Sequence, residues 1–132
     1  MTPLLAVPHV PISWGELIDK ITILEIKVAS LTDDDARGNA ARELDLLRGL
    51  ATPALADGRI ADLADQLRRQ NRALWDIEDR IRDKERAKQF DGDFIALARS
   101  VYQSNDRRGA LKREINLALA SDLIEEKSYR PY

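Results

Sequence analysis

Apolar side chains recur every three or four positions along most of the chain, which is the spacing that places them on one face of an α-helix. The clearest run begins at Ser13-Trp14-Gly15-Glu16, a capping box in which the Ser13 hydroxyl accepts from the Glu16 amide. The apolar positions of this run are Trp14, Leu17, Ile21, Leu24, Val28 and Leu31. They predict a first helix over residues 14–31. Further isoleucines at 18, 23 and 26 make it apolar on most sides, as expected of a helix that is central in a bundle or shared with a second subunit.

Turn-forming residues divide the rest of the chain into three more helical segments. The pattern predicts helices over residues 34–50, 59–89 and 94–120, with Asp93 capping the last of them. The segment 51–58 contains a proline and an Asp-Gly pair, which predict a loop between the second and third helices. The third helix would be a rod of about 45 Å, longer than a compact domain of this size is wide.

These elements predict an all-α fold, an antiparallel bundle of about four long helices that forms one domain over residues 1–132. Prolines at 3, 8 and 11 keep the leader before the first helix extended. The tail, residues 121–132, has room for one helical turn, and we expect Tyr129 and Tyr132 to pack against the bundle. The apolar first helix and the long third helix together predict a homodimer.

The composition and charge of the chain limit the kinds of partner that we expect it to bind. Charged residues make up 33% of the chain and hydrophobic residues 44%, with a net charge of -2. Both signs are mixed along every segment, and a nucleic-acid binder would carry a basic excess. The absence of cysteine excludes disulfides and thiolate metal sites and fits a reducing cytoplasm. No segment resembles a signal peptide or a membrane span. We therefore expect a cytoplasmic protein with neither a nucleic acid nor a membrane as its partner.

Four segments of the chain resemble a known family. They read SWGELIDKITILEIK (13–27), LWxIEDxIR (74–82), FIxLARxVYxxNDxR (94–108) and EEKSY (125–129). Together they resemble a family of short bacterial proteins catalogued only as a domain of unknown function. The resemblance covers nearly the whole chain and implies a bacterial, helical, stand-alone domain. It implies no activity, ligand or catalytic residue.

Six polar residues fall on helix faces that the pattern assigns to the interior, and they form the candidate ligand-binding site. They are Glu25, Asn71, Glu78, Asn105, Arg108 and Lys112. We predict that Glu25 and Glu78 face the two cations of the fourth helix across the interior. An isolated buried charge costs several kcal/mol, so these groups must be paired or must border a wet cavity. Two interpretations stay open: a salt-bridge network that fixes helix register, or a polar pocket for a small charged ligand.

Acidic pairs suggest a different class of function. Glu16 and Asp19 lie three residues apart on the first helix, and Asp76 and Asp79 do so on the third. All-helical nucleotide pyrophosphatases hold magnesium with such pairs, so a magnesium-dependent pyrophosphohydrolase-like enzyme is the alternative. These four carboxylates lie off the main apolar stripe, and charged helices contain such pairs by chance. A binding or interaction module is therefore the favoured interpretation, and no motif indicates a cofactor, a metal site or a catalytic residue.

Overall fold

The computed structural model describes residues 5–132, and this part of the chain contains four α-helices and no β-strand. The helices are α1 (Trp14–Ser30), α2 (Asp34–Leu55), α3 (Gly58–Arg86) and α4 (Gly92–Ala118). Short connections join consecutive helices, so each helix runs antiparallel to the next. The predicted all-α bundle is confirmed. The leader contains neither helix nor strand from Leu5 to Ser13, and Ser13 itself has extended backbone angles. Residues 1–4, including Pro3, lie outside the described part.

Each helix begins at a side chain that accepts a hydrogen bond from the first turn. The Ser13 hydroxyl accepts from the Glu16 amide at 3.1 Å, as predicted. The other three caps are the aspartates Asp33, Asp57 and Asp91. The prediction of Asp93 as the cap of α4 is wrong. Asp91 accepts from the Phe94 amide at 3.0 Å, and α4 therefore begins two residues earlier than expected.

The largest difference from the predicted elements is at the end of α2. This helix continues through Pro53 to Leu55, although a loop was expected there. Proline removes one backbone hydrogen bond within a helix, but Ala51 is fully buried and Ala54 nearly so. Burial of these two methyl groups against the other helices holds the last turn in place. The tail contains no helical turn.

The apolar core has two parts, and α1 contributes to both. Ile18 packs with Leu67 of α3 and Ile115 of α4 in one cluster. Leu17 and Ile21 pack against α2 in the other. The apolar character of α1 on several sides therefore reflects a helix that contacts all three others. None of the helices described is both long enough and apolar enough to cross a membrane.

The helices differ in length, and this opens space beside the core. The 29 residues of α3 span about 43 Å, whereas the 17 residues of α1 span about 25 Å. The contacts of α1 with α3 extend to Arg72, which donates to the Ser30 hydroxyl at 2.8 Å. Beyond this point α3 and α4 continue as a two-helix arm. An open groove lies between α3 and α4 and is bordered by Ile23 of α1.

Candidate functional site

The beginning of α1 lies directly against the end of α4. The Gly15 amide donates a 2.7 Å hydrogen bond to Oδ1 of Asn116, which is almost fully buried. A Cβ atom on Gly15 would overlap the Lys112 carbonyl oxygen, so only glycine permits this approach. The contact fixes which residues of the two antiparallel helices face each other.

Asp19, one turn further along α1, is the centre of a buried polar network. Its side chain is completely buried. Arg108 of α4 holds both carboxylate oxygens, with Nε at 2.8 Å from Oδ1 and Nη2 at 2.5 Å from Oδ2. Asn71 of α3 donates to the same Oδ1 at 2.9 Å and to the Thr22 hydroxyl at 2.8 Å. The hydrogen bonds to Asp19 raise the pKa of Arg108, against the lowering effect of partial burial.

Lys112, one turn beyond Arg108 on α4, bridges α1 and the tail. Its ammonium group donates to Glu16 and to Glu125, both at 2.7 Å. Burial lowers the pKa of Lys112, but the two hydrogen bonds and the negative charges of Asp19 and Glu16 together outweigh this effect, and the net pKa is raised. The same contact lowers the pKa of Glu125. The tail is therefore tied to the bundle through a buried cation.

The predicted partners of the two α4 cations are wrong. Glu25 accepts from Arg68 Nε at 2.7 Å, at the side of α1 and α3. Glu78 pairs with Arg82 at 3.4 Å on its own helix, and its side chain is 45% exposed. With Gly15 held against Asn116, the residues of α1 opposite Arg108 and Lys112 are Asp19 and Glu16, and Glu25 lies almost two turns too far along.

Four of the six candidate residues nevertheless meet at the open groove between α3 and α4. The groove has a volume of about 450 Å³. Asn71, Glu78, Asn105 and Arg108 line it, together with the partly exposed Trp75. Glu25 and Lys112 are not part of its wall. The six predicted residues therefore do not form one site: four line the groove, and Glu25 and Lys112 form ion pairs away from it.

The groove presents donors and an acceptor in fixed positions. Asp19 engages one edge of the Arg108 guanidinium, and Nη1 on the opposite side makes only a long 3.5 Å contact with Asn105. The side-chain amide of Asn71 donates to Asp19 and Thr22, and its Oδ1 accepts no hydrogen bond from the residues described. Every buried side-chain nitrogen or oxygen in the described residues has a hydrogen-bond partner. Since Oδ1 of Asn71 has none, this oxygen is accessible from the groove that Asn71 lines.

Sequence reasoning did not assign the residues that orient this site: it considered Asp19 only as part of an acidic pair and gave Thr22 no role. One signal was present. Glu16 and Asp19 are three residues apart on α1, and Arg108 and Lys112 are four apart on α4. Such spacings place each pair on one face, and two antiparallel faces of opposite charge are complementary.

Three of the four carboxylates behind the enzyme alternative contact other side chains of the protein. Asp19 accepts from Arg108 and Asn71, and Glu16 accepts from Lys112. Asp76 lies 3.7 Å from Arg72. In residues 5–132 no three histidine or acidic side chains are grouped as a metal site requires. The donor set therefore does not fit a magnesium site.

Comparison with known proteins identifies a family. Residues 8–131 match the "Family of unknown function (DUF6165)". The chain belongs to this family. The match includes every residue of the buried network and of the groove. No curated protein and no solved structure matches the chain.

Proposed function

We propose that this chain is a binding module whose groove between α3 and α4 takes a small molecule carrying a carboxylate or phosphate group. The observation that supports this is the state of Arg108. A fully buried carboxylate fixes its guanidinium, and the remaining N–H donors are directed to an open groove of about 450 Å³. A planar guanidinium that is already oriented loses little entropy when it binds an anion.

The rest of the groove suits a ligand that also carries donor groups. Asn71 offers a free carbonyl oxygen, and Glu78 and Asp79 place carboxylates on the rim. Trp75 supplies apolar surface for the body of the molecule. A groove lined by the Arg108 cation and by these carboxylates favours a small ligand with both charge signs over a plain anion.

Intrinsic fluorescence provides a direct test, because Trp75 lines the groove and Trp14 does not. In a Trp14→Phe background, titration with acetate, succinate, glutamate, inorganic phosphate and glycerol phosphate should change Trp75 emission for at least one compound. Each titration is run with and without magnesium. The proposal fails if none of these compounds changes the emission or raises the melting temperature.

A pair of exposed substitutions locates the binding. Asn105→Ala removes a side chain of the groove wall, whereas Gln103→Ala changes an exposed residue of the same helix that does not line it. We expect Asn105→Ala to weaken binding at an unchanged melting temperature and Gln103→Ala to do neither. Equal effects of the two substitutions would place binding elsewhere.

The homodimer, the cytoplasmic location and the bacterial origin stay predictions. A homodimer is supported by the two-helix arm, which extends beyond the other helices and carries exposed apolar residues such as Phe90 and Ile95. No observation favours the enzyme alternative. A melting temperature that rises with a nucleotide only when magnesium is added would revive it.

A further inference from the structure

The tail forms one wall of a second groove, on the other side of Asn105 and Arg108 from the first. Polar contacts hold the tail on α4: Glu125 to Lys112, Glu126 to Arg113 at 3.2 Å, and the Tyr132 hydroxyl to Asp106 at 2.7 Å. Tyr132 contacts α4 as predicted, through Tyr102 and Asp106, but the tail does not pack tightly and both of its tyrosines stay largely exposed. Tyr129 is 75% and Tyr132 77% exposed. A volume of about 730 Å³ stays open between the tail and α4.

Positive charge dominates this second groove, although the chain as a whole is slightly acidic. Lys127, Arg130 and Arg108 line it, against Asp106 as the one carboxylate in its wall. Arg130 makes no hydrogen bond or ion pair within residues 5–132. The one ion pair of Lys127 within these residues is a long contact with Glu125, at 3.8 Å. At least one full cation therefore faces the groove with its hydrogen-bonding capacity unused.

Aromatic rings stand beside these cations. Tyr102 and Tyr132 meet edge to face, with their centroids 4.9 Å apart. The exposed ring of Tyr129 lies beneath the Lys127 ammonium, 5.6 Å from its centroid. Tyrosine faces stack on planar rings, and arginine and lysine bind phosphate through charge-assisted hydrogen bonds. The groove combines both kinds of contact.

We infer that the groove between the tail and α4 binds a nucleoside phosphate. The unpaired Arg130 and the weakly paired Lys127 hold the phosphate, and an exposed tyrosine ring stacks on the base. The volume of about 730 Å³ is within the range of small-molecule sites. This site borders the groove between α3 and α4 and shares Asn105 and Arg108 with it. The two can be tested separately because, of the two, Lys127 and Arg130 line only this groove and Trp75 lines only the other.

Calorimetric titration with AMP and ADP, without magnesium, tests the inference. We expect ADP to bind more tightly than either adenosine or inorganic pyrophosphate alone, and to bind more weakly as salt is raised. Pyrophosphate binding as tightly as ADP would overturn the role of the tyrosines. If neither AMP nor ADP binds, the proposed site is refuted. The same conclusion holds if a single-stranded RNA oligonucleotide binds and neither mononucleotide does.

Exposed substitutions assign the contacts without disturbing the core. Arg130→Ala should weaken ADP binding about tenfold, the loss expected for one charge-assisted contact. Arg107→Ala removes the same charge from an exposed position of α4 outside the groove and is the matched control. Trp75 emission should not respond to ADP. Equal loss in both arginine variants, or quenching of Trp75, would show that ADP does not bind here.

Discussion

Removing the Asp19 carboxylate is expected to destabilise the fold more than removal of any other acidic side chain. Asp19→Ala leaves the Arg108 guanidinium without its partner and the Asn71 amide with an unpaired donor. Breaking a fully buried pair costs about 3 to 5 kcal/mol. The Arg108 side chain is 28% exposed and can reach water in the groove, so a loss near the lower end, about 3 kcal/mol, is expected.

Glu78 supplies the matched control for this prediction. Its pair with Arg82 joins two exposed side chains, and Glu78→Ala should cost no more than about 0.5 kcal/mol. The double variant Asp19→Ala/Arg108→Ala should cost less than the sum of its single variants, because each single change leaves the partner unpaired. Asp19→Asn keeps the shape and one acceptor oxygen, and should lie between the wild type and Asp19→Ala.

Urea denaturation followed by far-ultraviolet circular dichroism measures these differences as free energies of unfolding. A loss of about 3 kcal/mol corresponds to a fall in melting temperature of roughly 10 °C for a domain of this size. The reasoning is refuted if Asp19→Ala is no more costly than Glu78→Ala. Strict additivity of the Asp19 and Arg108 changes would likewise show that the two residues do not interact.

Three further predictions concern the helix contact, the tail and the assembly. Gly15→Ala should destabilise the fold by about 2 kcal/mol through overlap with the Lys112 carbonyl, whereas Gly38→Ala, with no atom near its position, should be neutral or stabilising. The pKa of Glu125 is lowered from its ordinary value of 4.5, so its contribution to tail docking is complete above that value and is lost as pH falls through the lowered one. Glu125→Gln at neutral pH should reproduce this loss as faster proteolysis of the tail, and unchanged cleavage would contradict it. Light scattering should give twice the chain mass of 14.9 kDa, and a monomer at every concentration would disprove the dimer.

The fold could be predicted from the sequence because its determinants are local. The spacing of apolar residues and the capping side chains define where most helices begin, and the structure moves those boundaries by only a few residues. The prediction that α2 ends at residue 50 is wrong because the true end depends on tertiary contacts, which local sequence does not show. Pro53 favours a break, and only the burial of Ala51 and Ala54 against other helices overrides it.

The candidate site was predictable only in part. The helical wheel identified Arg108 and Lys112 on the inner face of α4, and Lys112 is indeed 5% exposed. It could not identify their partners, because a wheel shows which face of a helix a side chain is on but not which residue of a neighbouring helix lies opposite it. The register of α1 on α4 depends on the contact between Gly15 and Asn116, which are 101 residues apart in sequence.

The same residues set the register of α1 on α4 and orient the donor in the groove. A slide of one helical turn, about 5.4 Å, would place Asp19 opposite Lys112 and would bring a side chain larger than glycine against the α4 backbone. Apolar contacts tolerate such slides better than paired charges do, so the polar pairs select one register. Arg108 is therefore rigid because the fold requires it. It follows that substitutions at Asp19 should impair stability and binding together, whereas Asn105→Ala should impair binding alone.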